Sequence, residues 1–503
     1  MKINQNMSAV RANSQLLRTE NKLAASVERL SSGYKINKPG DNPAGMAISN
    51  KMRAQIRALD QAESNVSDAV SVMQIADGAL NEVSSILQRI RELSVQAANG
   101  TYCYEDKQSI QAEIDQLAEE VTRISSDTEY NKKTLLDGSS DLRTYATPNS
   151  ATRIQISNTV ASGDYTFNVT ESADKAKMSF ETSNLFDNTG ELKPDYEEEV
   201  IALNGISMTL TKGMTKDQFY EELRNTAEQA GATTEWDNNG NVLFESNRYG
   251  TSAEIAISLS DKLYQGINGG VKDAADEPQD QQFAKQNTET RAWELTVFGE
   301  NAEVSFSDKK NPDGSYASGF TSSATVTTDG NRIKITDFNG FSIDFLLDEN
   351  YGDKDGKAKA TEEGNFKLEV TEIGTMSIQT GGNQYQTIDL SIPEVSAEAL
   401  YLDTVDVTVA GGAVRALSTL DEAMERLNEV RSRIGAFQNR LEYASGSLSE
   451  TQEDMTAAYS NLIDTDMATE MVEYTQQSVL EQAATSVLTQ ANDLPEMVLQ
   501  MLQ

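Results

Sequence analysis

A stripe at Leu59, Ala62, Val66, Ala69, Met73, Ala76, Leu80, Val83, Leu87, Ile90, Ser94 and Ala97 alternates steps of three and four residues, with Ser94 its one polar member. That period holds one helix face in line over five heptads, so residues 59–97 are expected as a long helix packed lengthwise against others. A second stripe, Leu480, Ala484, Val487, Ala491, Leu494, Val498 and Met501, keeps the same steps near the other end of the chain. Chain ends normally fray, and an apolar seam there marks a segment built to be covered.

The breakers outline the rest. Of eight prolines, none lies between Pro43 and Pro148 and only Pro495 follows Pro393, which leaves two windows of roughly a hundred residues free to be helical. Residues 1–99 hold one aromatic, Tyr34, and residues 46–99 hold one glycine, Gly78. Such a composition suits slender helices rather than a globular core. As one helix, residues 44–99 run about 84 Å. Between residues 31 and 43 the pattern stops at Ser31-Ser32-Gly33, turns through Lys38-Pro39-Gly40 and restarts with Asn42 as N-cap and Pro43 at the first helical position. Further helices are expected near 104–128, on Ile110, Ile114, Leu117, Val121 and Ile124, and near 413–457, on Leu420, Met424, Leu427, Ile434, Phe437, Leu441, Ala444 and Leu448. Together they make an antiparallel bundle.

The centre, about residues 146–395, holds both tryptophans, most glycines and short alternating runs. Arg332-Ile333-Lys334-Ile335 and Phe341-Ser342-Ile343-Asp344-Phe345 read as strands joined through Asn339-Gly340. Residues 199–258 read as a unit: a strand from Ile206 to Leu210, a helix near Lys216 to Ala230, a turn at Asn239-Gly240, then strands Val242 to Glu245 and Ile255 to Ser258. The fold class expected is α+β, with long helical-bundle arms from both termini in a hairpin topology and a central β-rich insertion of one or two small domains.

Composition excludes much chemistry. Histidine is absent, which removes Ser-His-Asp and Cys-His nucleophilic sites, HExxH zinc proteases and most catalytic zinc centres. No enzyme, metal or cofactor is expected. The single cysteine, Cys103, has no second thiol for an intramolecular disulfide and reads as a small residue in a helix connection. A net charge of −37 opposes binding to nucleic acid or to anionic membranes. No apolar run is long enough to span a bilayer, and Met1-Lys2-Ile3-Asn4 opens without a signal-peptide core.

Charge also pairs the ends. Residues 1–57 carry ten basic and three acidic side chains, net +7, whereas residues 443–503 carry ten acidic and no basic ones, net −10. Solvated faces explain either segment alone, but both also have apolar seams, and opposite charges flanking a seam select partner and orientation.

Several motifs, in order, resemble the bacterial flagellins. They are Glu28-Arg29-Leu30-Ser31-Ser32-Gly33-Tyr34-Lys35-Ile36-Asn37, Asp41-Asn42-Pro43-Ala44-Gly45, Gly78-Ala79-Leu80-Asn81-Glu82 and Gln88-Arg89-Ile90-Arg91-Glu92-Leu93-Ser94-Val95-Gln96. Near the other end are Arg433-Ile434-Gly435-Ala436 and Thr485-Ser486-Val487-Leu488-Thr489-Gln490-Ala491-Asn492. The resemblance covers about residues 1–140 and 376–503, with Ile378-Gln379-Thr380-Gly381 similar to the family's β-hairpin and residues 199–258 similar to its outer-domain module. Asn131-Lys132-Lys133-Thr134 departs from the family's Asn-Gly turn, and Gln503 stands where many relatives have Arg.

The resemblance implies a division into an inner-core helix and hinge at 1–43, rod helices at 44–145, solvent-facing outer domains at 146–375, a hairpin and rod helix at 376–460, and a second inner-core helix at 461–503. It implies a self-assembling helical polymer, the extracellular flagellar filament used for motility, with subunits secreted by the flagellar type III system without a cleaved signal. Flagellar cap, junction and export-chaperone proteins are the implied partners. The assembly contacts are then Leu16, Leu23, Val27, Leu30, Leu480, Ala484, Val487, Ala491, Leu494, Val498 and Met501, ordered only on polymerisation because a single chain cannot cover both seams. A hook-filament junction protein and a coiled-coil adhesin are the alternatives; a zinc-protease insert is excluded by the lack of histidine. The resemblance further implies recognition of the monomer by Toll-like receptor 5 through Gln88, Arg89, Ile90, Arg91, Glu92, Leu93 and Gln96 and through Glu113 on the next helix. Arg89, Leu93 and Gln96 fall at i, i+4 and i+7, off the stripe, and are expected to share an outward face.

Overall fold

The computed structural model describes residues 6–157, 159–187, 189–236, 240–267, 284–286, 292–306, 319–321, 323–338, 340–348, 366–371 and 373–501. Its helices are α1 (Met7–Ser32), α2 (Pro43–Ala97), α3 (Tyr104–Asp127), α4 (Lys216–Gln229), α5 (Asp261–Gly266), α6 (Gly412–Ile463) and α7 (Met467–Met501). The two apolar stripes thus fall on α2 and α7. α1 stops where Gly33 takes a left-handed conformation, φ 78°, and its N–H returns to the Arg29 carbonyl. α2 starts at Pro43 behind Asn42, whose side chain accepts a hydrogen bond from Gly45 N at 2.9 Å. A Cβ at Gly45 would stand 2.7 Å from Ile36 Cδ1 and 2.8 Å from Asn42 Nδ2, so a larger residue there would push these two side chains of the hinge aside. Cys103 is exposed and caps α3; its thiol donates to Asp106 Oδ2 at 3.0 Å, and that bond pushes the thiol pKa up, away from reactivity.

Two compact units share these elements, Met1–Ser71 with Ser377–Ile388 and Gln438–Gln503 in one, Val72–Met376 with Asp389–Phe437 in the other. In the first, α1 lies antiparallel along α7: Asn6 Nδ2 donates to the Ala491 carbonyl at 2.7 Å, and Ser26 Oγ to Glu470 Oε1 at 2.6 Å. Arg29 adds an ion pair to Glu470 at 3.5 Å, joining the basic and acidic ends. Each of the two terminal helices thus supplies the other with one covered face.

The second unit holds most of the β structure. A hairpin, β1 (Glu129–Tyr130) and β2 (Lys133–Thr134), turns through Asn131 and Lys132, both at positive φ. That geometry is the one an Asn-Gly turn serves, so Lys132 occupies a backbone region in which glycine is unstrained. Next come β3 (Arg143–Thr147), β4 (Ala151–Ile156) and β5 (Gly163–Glu171), then β6 (Lys175–Glu181), β7 (Val200–Leu203), β8 (Ile206–Thr209), β9 (Ala232–Trp236), β10 (Asn241–Tyr249), β11 (Glu254–Leu259), β12 (Ala284–Gln286) and β13 (Trp293–Phe298). β14 (Glu303–Ser305), β15 (Thr325–Asp329), β16 (Arg332–Thr336), β17 (Ser342–Leu347) and β18 (Phe366–Thr371) follow, with β19 (Met376–Gln379) and β20 (Thr387–Leu390) forming a separate hairpin that falls largely in the first unit.

Two four-stranded antiparallel sheets, β14-β5-β18-β3 and β15-β16-β17-β4, face each other over Phe167, Ile333, Ile335, Phe345 and Phe366. β16 and β17 pair as their alternation foretold, Ile335 opposite Ile343; of the turn residues between them, Asn339 lies outside the described residues and Gly340 has φ 81°. Between β5 and β14 the chain leaves this sandwich to build a second module. It departs and returns at one point, where Asp174 N donates to the Glu300 carbonyl at 2.9 Å and Glu300 N to the Asp174 carbonyl at 3.1 Å. The module has its own core, Phe180, Leu203, Phe219, Leu223, Phe244 and Ile257 among it, over sheets β6-β10-β9 and β12-β13-β11-β7-β8. The helix read at 216–230 and the strands read at 206–210, 242–245 and 255–258 are α4, β8, β10 and β11. Asn239 of the expected turn lies outside the described residues. β6, β12 and β13, from beyond residues 199–258, complete both sheets.

Candidate assembly and recognition surfaces

On α7 the residues turned toward α1 are Glu470, Tyr474, Gln477, Glu481, Ala484, Leu488 and Ala491, each buried or half-buried at alternating steps of four and three. Their partners on α1 are Ala9, Ala12, Leu16, Thr19, Leu23, Ser26 and Leu30, on the same steps. This seam is largely polar or small. Of the stripe, Ala484 and Ala491 belong to this seam, whereas its larger members lie to one side: Leu480 is 45% and Val487 53% exposed, and Met471, Val472 and Val479 are exposed as well. Met471, Val472, Thr475, Gln476, Val479 and Leu480 line a shallow apolar hollow on that outward face. This outward apolar side of α7 is uncovered among the described residues.

The expected assembly residues therefore divide. Leu16 and Ala491 are buried, and Leu23, Leu30 and Ala484 half-buried, in the seam between the two helices of one chain. Val27, Leu480 and Val487 remain exposed. The side chains of Leu494, Val498 and Met501 lie outside the described residues. α7 begins on Asp466, whose carboxylate accepts the Thr469 hydroxyl at 2.9 Å and the Ala468 N–H at 2.9 Å; these bonds hold its pKa below the ordinary carboxylate value. The cap is thus complete above the unfolded-state pKa and is lost as the pH falls through the lowered folded value.

The second surface is on α2, within the larger unit. Arg89 pairs with Glu113 of α3 at 2.8 Å and with Glu92 at 3.3 Å, and Gln96 Nε2 donates to Tyr102 Oη at 3.2 Å. Its hydrogen bonds to Glu113 and then Glu92 raise the Arg89 guanidinium pKa. Gln88, Arg89, Glu92, Gln96 and Glu113 are exposed. Leu93 is not. It is 2% exposed and Ile90 fully buried, so the leucine expected in the middle of this face belongs to the core. Arg91, half-buried, pairs instead with Asp421 of α6.

The two ion pairs explain the correction. α2 lies between α3, on the Arg89 side, and α6, on the Arg91 side, so the buried arc from Leu93 through Ala97, Ile90, Val83, Ser94 and Leu87 to Leu80 spans roughly 140° at 100° per residue. A two-helix seam is narrower. Ser94 sits inside this arc with its hydroxyl bonded to the Ile90 carbonyl at 2.9 Å, so it leaves no unpaired group.

Residues 3–141 match the bacterial flagellin N-terminal helical region and residues 417–502 the bacterial flagellin C-terminal helical region. A flagellin of Salmonella rubislaw is 30% identical over 530 residues, covering 100% of this chain and 99% of that protein. One from Clostridium tyrobutyricum is 29% identical over 494 residues, covering 98% and 99%. With seams at both ends, paired terminal helices and this full-length similarity, the chain belongs to the bacterial flagellin family, the structural subunits of the flagellar filament.

Proposed function

We propose that this chain polymerises through α1 and α7 into a flagellar filament that drives swimming, and that it leaves the cell unfolded through the flagellar type III route. The observation that carries the first part is the bare apolar side of α7, with Leu480 and Val487 exposed beside a polar seam already filled by α1. Copies that meet head to tail through such surfaces form an open helical polymer when the rotation does not close. In this reading residues 1–43 and 461–503 form the inner core, residues 44–145 and 376–460 the rod, and residues 146–375 the solvent-facing part. Cap, junction and export-chaperone proteins are its partners. Removal of residues 1–40 and 465–503 is expected to leave a folded, soluble monomer that does not polymerise, as checked by sedimentation. Filaments of the trimmed protein, under conditions that polymerise the intact chain, would sink the reading.

A recognition role rests on the exposed Arg89-Glu113 pair with Gln88, Glu92 and Gln96 around it. We propose that Toll-like receptor 5 reads this face on the monomer, with Arg89 its central contact and Ile90 and Leu93 acting only through the fold. Arg89→Ala is expected to weaken monomer binding to the receptor ectodomain by about tenfold or more, since central arginines often dominate interface energy. Circular dichroism should show the helix content retained. Unchanged affinity in the folded variant would remove the role.

A further inference from the structure

Tyr401 lies between α6 and the β4-β17-β16 side of the sandwich, in a left-handed backbone conformation at φ 56° and 7% exposed. Three guanidinium groups surround its ring: Arg332 at 4.5 Å from the ring centre, Arg426 at 5.1 Å and Arg153 at 5.2 Å. They come from β16, α6 and β4. Each is also tied to a carboxylate or amide of another element. Arg153 grips Asp403 through both terminal nitrogens, at 2.6 and 3.0 Å. Arg332 holds Asp344 of β17 at 2.9 and 3.2 Å and reaches across to Glu422 of α6 at 2.6 Å. From α6, Arg426 returns to the same Asp344, to Gln155 of β4 and to the Ala399 carbonyl at 3.1 Å.

The arrangement is costly as a source of stability. Burial, and then the neighbouring Arg332, lower the Arg426 pKa to about 10, and Asp344 is buried between two arginines. Buried ionic groups of this kind are often matched or bettered by well-packed apolar residues. What they add is direction, since planar guanidinium forks and ring faces meet in few geometries. Apart from the Arg332–Asp344 pair within the sheet, these ties run between the sandwich, the segment carrying Tyr401 and α6. We propose that Tyr401 and its three arginines form a latch that fixes the orientation of the β-sandwich on α6, and that opening it frees the sandwich to reorient as a folded body. The latch is a property of the ring and not of the hydroxyl, because Tyr401 Oη has no hydrogen-bond partner among the described residues.

The test uses the full chain, as monomer, with Cys103→Ser and spin labels at Thr327 of β15 and Asn428 of α6, both exposed. Pulsed dipolar spectroscopy reads the width of the distance distribution between them. The parent and Tyr401→Phe are expected to give the same narrow distribution, and Tyr401→Leu one at least twice as wide, with unchanged amide protection in β16 and β17. A Tyr401→Leu distribution as narrow as the parent's, or a Tyr401→Phe one as wide as that of an opened latch, would overturn the proposal. Should Tyr401→Leu lose strand protection, Arg426→Met combined with Glu422→Met decides by the same two widths, since together they remove both α6 side chains of the latch and leave Asp344 paired to Arg332.

Discussion

Leu93→Asp is expected to collapse the packing of α2 with α3 and α6, although its position in sequence invites the opposite forecast. At 2% exposure Leu93 sits in the arc that those two helices cover, with Ile90 and Ala97 beside it. A carboxylate placed there gains no partner from the two nearest arginines in sequence, since Arg89 is held outward by Glu113 and Glu92, and Arg91 by Asp421. Leaving a charge buried and unpaired costs on the order of 3–5 kcal/mol. Lost apolar burial adds about 1.5–3 kcal/mol. The sum is comparable with the whole stability of an ordinary domain, about 5–15 kcal/mol. Urea denaturation followed by circular dichroism should show a large fall in midpoint or no folded baseline. Arg89→Ala, one turn away, gives up only exposed ion pairs, which contribute little. Equal midpoints for the two variants would mean that Leu93 is not a core residue in solution.

The long helices were legible because their signals are local and repeated. α2 shows its period over five heptads, its start at Asn42-Pro43 and its freedom from proline, and each acts within a turn or two of the residue that carries it. The side of a helix that is covered was less legible. Strict alternation describes a seam with one partner and so puts Leu93 outside, and nothing near Leu93 says that α3 and α6 approach α2 from both sides. The same limit applies to α7. Its apolar stripe stands out in the sequence, but its neighbour in the chain packs on the adjacent face, where Glu470 takes hydrogen bonds from Ser26 and Arg29. Charge complementarity named the partner helix; the register depended on side chains some 440 positions apart.

In the centre, strands with turn signals beside them were readable, as β16 and β17 were. The nesting of one module inside the sandwich was not. It depends on backbone hydrogen bonds between Asp174 and Glu300, which carry no composition. The Tyr401 latch draws on β4, β16, β17, α6 and the segment before it, so no window of sequence contains enough of it to be noticed.

The claim that most needs testing is that the bare stripe of α7 is the surface through which copies of this chain meet. Leu480→Asp with Val487→Asp addresses it directly. Both side chains are about half exposed in the single chain, so the helix and its seam with α1 should survive the change. Between copies, the same carboxylates would have to be buried in an apolar contact, and the segment already carries net −10 over residues 443–503. Gln482→Asp, on the far side of the helix, adds charge without touching the stripe. The decisive measurement is sedimentation, with electron microscopy of the pellet, for parent, double variant and Gln482→Asp at equal concentration and salt. Filaments from the parent and from Gln482→Asp, with the double variant remaining a monomer of unchanged circular dichroism, are the expected result. Filaments of the double variant in parental yield would contradict the account.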